Sequence, residues 1–315
     1  MHSVLLENQF LRLEVRPGLG AGISDFSWRR EAHEWTPLWR RAANAETSPE
    51  QLACYLMGPW TNRIPGGRFE FGGRLWSLRT SDAQGSAVHG FFRDLDWSVL
   101  DRGPDSVRLG REIAGGEAGG EAGWPWGCVA SVRYELAGPE LRAELQVTSN
   151  SNAPMPLGFG FCPKWLRRLG ADQDQVRLRL VTTQGAKLPD EPESGSAGST
   201  WAKNLAEGLG LGPAADMDDS YVSSDGAGEI RWQPSGLIAT WTCSPELSHI
   251  GVQTPRVPGL PRGAWHCDYF VAAPNTMGAR GFEMLAQARA HGGVAVLQSG
   301  ETMRGRWTVR VTQES

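Results

Sequence analysis

Short runs that alternate apolar and polar residues recur from one end of the chain to the other. Phe10 to Val15 alternates in this way, as do Val129 to Leu136 and Leu141 to Val147 on either side of Gly138-Pro139. Phe69 to Leu78, FEFGGRLWSL, reads as two short strands around Gly72-Gly73, the pattern of a hairpin. Val176 to Val181, Gly236 to Thr242, Ile250 to Thr254, Trp265 to Val271 and Arg306 to Val311 extend the series. Helical spacing is scarce. Gly281 to His291 carries Phe282, Leu285, Ala286 and Arg289 at helical intervals, and a weaker repeat lies near Trp201 to Glu207. Ala114 to Trp126 and Pro189 to Ser199, rich in Gly, Ser, Pro and Glu, read as surface loops between strands. No alternation of strand with helix is visible, which argues against a doubly wound sheet or a TIM barrel. The pattern predicts an all-β protein, a large antiparallel β-sandwich of two stacked sheets, forming a single domain over residues 1–315.

Composition narrows the function classes. The net charge is -4, and a mildly acidic balance argues against nucleic acid or an anionic membrane surface as partner, since both call for a basic face. No run approaches the ~20 apolar residues of a membrane helix. The first residues, MHSVLLENQFLRLEV, lack a basic segment followed by a long apolar one, so no secretory signal is expected. Five cysteines, an odd number in a chain of 315 residues, read as reduced thiols of a cytoplasmic protein.

Polar residues in otherwise apolar surroundings mark the candidate chemistry. Asn62 and Arg63 stand in GPWTNRIPGG, where the arginine is either a surface residue of a capped turn or a fork of donors for hydroxyl or carboxylate oxygens. His89 precedes a glycine and two phenylalanines in VHGFFRDLDW. Cys162 ends the run GFGF in PMPLGFGFCPKW, where a buried thiol at a strand end is the plainest reading. DMDDSY, Asp216 to Tyr221, reads as a turn whose carboxylates cap it, hold hydroxyls or bind a cation; the calcium-loop spacing is absent and no metal is expected. In WHCDYFVAAPN, a strand would carry His266 and Asp268 on one face and Cys267 on the other. A carboxylate in an apolar strand needs a partner or a wet cavity.

Taken in order, these segments resemble the aldose 1-epimerase (galactose mutarotase-like) superfamily. The sequence runs NRIPGGRFEFGG, HGFFRDLDW, PLGFGFCP, the paired aspartates, a strand with a carboxylate followed by PN, and a late LQSGE, and it covers nearly the whole chain. The resemblance implies a galactose mutarotase-like supersandwich, a monosaccharide partner, no cofactor and an isomerase mechanism. In that mechanism a glutamate takes the anomeric proton and a histidine protonates the ring oxygen. The ring opens, C1 rotates, and closure gives the other anomer. By the same resemblance Asn62, Arg63 and Asp218 hold hydroxyls, with Asp219 a near alternative, and His89 matches the histidine of the HG pair.

The acid–base half departs from the pattern. Where the resemblance implies histidine before proline, the chain has Cys162; where it implies a late glutamate before proline, Asp268 precedes Tyr269. Asp268, Cys162 and His89 are therefore the candidate catalytic set, and His266 joins the candidate binding residues. Two functions follow: an aldose 1-epimerase with an altered acid–base pair, weak on common sugars, or a non-catalytic carbohydrate-binding protein on the same fold. Lys164, Arg167 and Arg168 directly follow Cys162, which leaves a phosphorylated or acidic sugar open. Trp60, Trp165 and Trp265 are candidates for stacking on a pyranose.

Overall fold

Successive side chains of a strand point to opposite faces, and burial alternates accordingly along Leu11–Arg16, Cys128–Ala137 and Glu140–Ser149. The computed structural model describes residues 3–31, 34–42, 48–115, 123–169, 175–185, 197–212, 215–256, 267–289 and 292–314. Within them, seventeen strands join in one curled antiparallel sheet that folds into two layers.

The first layer runs from the edge strand Ser98–Arg102 through Ser106–Ile113, Cys128–Ala137, Glu140–Ser149, Thr302–Gln313 and Leu237–Cys243. The second runs from Val4–Glu7 through Leu11–Arg16, Gly22–Glu31, Cys54–Met57, Gly160–Leu166 and Tyr269–Asn275 to His249–Gln253. The sixteen-residue strand Asp218–Gln233 belongs to both layers. Its first part, Asp218 to Val222, pairs with His249–Gln253, and Ala227 to Trp232 pairs with Leu237–Cys243. Gly226 makes the crossing possible: its φ is +67°, and a Cβ there would lie 2.7 Å from the Cys243 carbonyl oxygen.

Tryptophans fill the space between the layers. Trp39 stacks on Trp307 with centroids 5.7 Å apart, and Trp165 stacks on Trp241 at 6.0 Å. A second aromatic cluster, Trp60, Trp124, Trp126, Phe69 and Phe282, lies under the hairpin of Arg68–Phe71 and Arg74–Ser77. Trp60 and Trp165 are 2% and 0% exposed, so they are core residues and do not offer a face to a sugar. Trp265 lies outside the described residues.

Several other expectations change. The strand expected at Trp265 to Val271 begins at Tyr269 and runs to Asn275, and residues 257–266 lie outside the described residues. DMDDSY does not form a turn: Asp218 opens the long strand that bridges the layers. Trp124 and Trp126 are buried, so the end of the expected loop Ala114 to Trp126 is part of the core. The helix expected over Gly281 to His291 stops at Ala286, followed by Ala288 in the left-handed region at φ 51°. The helix near Trp201 begins at Ala197 and ends at Glu207, and residues 189–196 of the second expected loop lie outside the described residues. No described helix is long and apolar enough to cross a membrane.

Candidate functional site

Gly160–Leu166 lies between Cys54–Met57 and Tyr269–Asn275 in the second layer. One face of these strands enters the core through Cys54, Leu56, Phe161, Trp165, Phe270 and Ala272. The alternating positions Tyr55, Met57, Cys162, Val271 and Ala273, with Tyr269 against them, form a separate cluster on the opposite face. Cross-strand partners share a face, and the register extends this one across five strands. Tyr55 pairs with Cys162; Gly160 with Asn275 and Lys164 with Val271 set Cys162 across from Ala273; Ala273 pairs with Gly251, and Gly251 with Ser220. The neighbouring row runs Lys164, Val271, Gln253, Asp218. Cys162 and Asp218 thus stand on one face in adjacent rows, with the strands Tyr269–Asn275 and His249–Gln253 between theirs.

Arg63 reaches this row from outside the sheet. Its Nη1 donates to Asp218 Oδ2 at 3.2 Å, and its Nε lies 4.0 Å from Asp82 Oδ2. His89 is held next to it by reciprocal bonds with Asn62. The His89 N–H donates to the Asn62 carbonyl at 3.0 Å, and the Asn62 N–H donates to His89 Nδ1 at 3.1 Å. Both residues adopt φ 60°, a conformation few non-glycine residues take and one that recurs at functional sites. Burial, with Arg93 and Arg63 nearby, pushes the His89 imidazole down to about 3. The ring is neutral, and with Nδ1 accepting, its proton sits on Nε2, free to donate to a ligand oxygen. Asn62 itself is a positioning residue: its amide donates to the Met277 carbonyl at 2.8 Å and to Thr61 Oγ1 at 3.0 Å.

The floor is less polar than its residue types imply. Cys162 is buried beside its cross-strand partner Tyr55, and burial raises its thiol above the ordinary range. Lys164 donates to the Leu52 carbonyl at 2.7 Å and to the Glu50 carbonyl, and its Nζ lies 5.2 Å from the centroid of Tyr55. Burial lowers its ammonium to about 8. Arg93, also buried, has its guanidinium carbon 5.1 Å from the centroid of the Tyr55 ring and pairs with Glu50 at 3.2 Å.

The structure therefore brings Asn62, Arg63, His89, Cys162 and Asp218 to one region, and it leaves Asp268 apart. Asp268 precedes the strand, its side chain is 70% exposed, and it faces Arg40 at 3.9 Å. It lies five residues before Ala273, about 16 Å along an extended chain. His266 lies outside the described residues. Tyr55, Gln253 and Ala273 also lie on this face, and nothing in the sequence singles them out. Cys54–Met57 and Tyr269–Asn275 are covered on both faces, so no polar alternation marks which residues share the face of Cys162.

Residues 3–191 match the aldose 1-epimerase family. No curated protein matches the chain. Solved structures share its fold along almost their whole length. A galactose mutarotase-like protein of Clostridium acetobutylicum superposes with a TM-score of 0.80 at 15% identity, covering 99% of this chain and 95% of that one. A candidate aldose 1-epimerase of Escherichia coli K12 gives 0.76 at 18% identity over 99% of both chains. An aldose epimerase homologue of C. elegans gives 0.75 at 16% over 100% of both. With the family match spanning more than half of its length, this chain belongs to the aldose 1-epimerase family.

Proposed function

We propose that the chain binds an aldose on the face around Tyr55, Cys162 and Ala273 and does not interconvert its anomers at an enzymatic rate. The observation that carries this reading is the cluster that holds Cys162 and Ala273 on one face, where the strand register sets them across from each other. Anomer exchange by ring opening needs one group to take the anomeric proton and another to protonate the ring oxygen. Here a thiol faces a methyl group. The thiol is protonated at neutral pH and is a weak donor, and alanine has no proton to exchange. Ala273 also precedes Pro274 on the ligand face, the place where the family resemblance implies glutamate before proline. Asp268 is too far along the strand to substitute. Neutral His89 serves as a donor to a hydroxyl and not as an acid.

The binding half is complete by comparison. Arg63, Asp218 and the Nε2–H of His89 converge from separate segments and match the donors and acceptors of sugar hydroxyls. Lys164 and Arg167 are occupied by main-chain carbonyls, Arg167 by those of Tyr269 and Leu211, which favours a neutral sugar over a phosphorylated one. The five cysteines are free thiols, in keeping with a reducing compartment such as the cytoplasm.

The test is calorimetry with a panel of free and phosphorylated aldoses, alongside anomer-resolved NMR exchange at equilibrium. Saturable binding of a neutral aldose with exchange at the uncatalysed rate is expected. Exchange at an enzymatic rate refutes the non-catalytic reading, and absence of binding to any sugar refutes the cleft.

A further inference from the structure

A cavity of about 360 Å³ opens beside the ligand face, between the hairpin of Arg68–Phe71 and Arg74–Ser77 and the helix Gly281–Ala286. Its size lies within the range of small-molecule sites. Ile64, Phe69, Met277 and Phe282 supply buried apolar lining, while Leu75 contributes a side chain left 62% exposed. The charged residues lie around this lining, and the guanidinium of Arg280 is paired with Glu283.

Two residues join this cavity to the sugar face. Arg63 lines it and also donates to Asp218. Met277 lines it, and the Met277 carbonyl accepts from Thr61 and Asn62, the residue that orients His89. A substituent on a sugar held by Arg63 would enter the cavity directly.

The lining discriminates between substituents. A second pyranose would need an open aromatic face. Phe69 is 5% exposed and Phe282 3%, and the two rings stack on each other at 4.3 Å, so neither offers an open face. What remains are ring edges, a thioether and an exposed leucine, which suit an apolar group. A site with no acid–base pair also has no need of a free anomeric hydroxyl. Resting on the sugar-binding reading above, we propose that this cavity receives the aryl or alkyl aglycone of a glycoside whose sugar lies on the Arg63–Asp218 face.

The experiment is calorimetry on the full chain with the best-binding aldose, its methyl glycosides and its phenyl and hexyl glycosides, in both anomeric forms. The phenyl or hexyl compound of one anomer should bind at least tenfold tighter than its methyl counterpart, since each buried methylene adds several-fold. Leu75→Asp, a change at an exposed hairpin position, should abolish that gain and leave the methyl glycoside within twofold of wild type. Equal affinities for methyl, phenyl and hexyl compounds would overturn the aglycone site while leaving the sugar face intact. A gain that survives Leu75→Asp would also overturn it, because the apolar group would then lie elsewhere. If no sugar binds in any form, the sugar face falls and the aglycone site falls with it.

Discussion

Arg63 and Asp218 are separated by 155 positions in the chain, and their side chains meet at 3.2 Å. The contact joins the two-stranded ribbon of Arg63–Pro65 and Ser86–Val88 to the first residue of the strand that crosses between the two layers. Both side chains are at least half exposed, at 50% and 60%. Exposed ion pairs add at most about 1 kcal/mol to stability. The pair therefore adds little to the stability of the fold.

Arg63→Ala and Asp218→Ala should each shift the unfolding free energy by less than about 1 kcal/mol. Each should weaken aldose binding by on the order of tenfold to a hundredfold, since hydrogen bonds to charged groups contribute about 1.5–3 kcal/mol. Urea unfolding and calorimetry on the two single variants and the double variant check both statements. The double variant should lose less than the sum of the singles, because the two groups orient each other.

His89 makes stability depend on pH. Its folded value, about 3, lies below the ordinary imidazole value of 6.5 that the unfolded chain retains. Between these values the unfolded state binds more protons, so stability rises with pH. The contribution is full above about 6.5 and is lost as pH falls toward 3. Urea midpoints should drop between pH 7.5 and pH 5. In His89→Asn that drop should shrink, since asparagine tolerates the left-handed backbone and does not titrate in this range. An unchanged pH dependence in the variant would assign it to another group.

Trp165 tests the core. It is fully buried, stacks on Trp241 and meets Trp39 edge-on at 5.4 Å. Trp165→Ala should cost about 3–5 kcal/mol in thermal or urea unfolding. Trp165→Phe should cost much less, since the indole N–H has no acceptor among the described residues and its removal leaves no partner stranded. Neither change should alter sugar affinity under conditions where the variant is folded.

The sequence pattern shows strands clearly where one face is wet. Cys128–Ala137 and Glu140–Ser149 alternate because their outer positions, such as Arg133 and Arg142, meet solvent. Gly72-Gly73 marks its hairpin because both residues take positive φ. The same reasoning fails on Tyr269–Asn275, where both faces are buried and Ala272 in the core looks no different from Ala273 on the face of Cys162. Asp268 draws attention as a charge beside an apolar run, yet the strand starts one residue later and the carboxylate lies in water. Arg63, His89 and Asp218 were identifiable as candidates through their order along the chain. No spacing rule reveals that they meet, because their approach depends on how the sheet curls.

The placement of Cys162 across from Ala273 leads to a gain-of-function experiment. Ala273→Glu places a carboxylate on the ligand face, and Cys162→His places an imidazole across from it. There is room for the longer side chain: Gly251, the neighbour of Ala273 on the next strand, has no side chain, and even a Cβ there would sit 3.8 Å from that of Ala273. Lys164, one row away on the same face, favours the ionised carboxylate. A general acid or base is worth about 10²–10⁴ in rate, and ring opening needs both. The double variant should therefore raise anomer exchange of a bound aldose by on the order of 10² or more over wild type, measured by saturation-transfer NMR. Cys162→His alone should gain little, because no base faces it. Asp268→Glu, alone or with Cys162→His, should also gain little, since one added methylene does not span about 16 Å. If instead the Asp268→Glu double variant becomes fast and the Ala273→Glu double variant does not, the base acts from Asp268 and the assignment of Ala273 to the missing carboxylate is wrong.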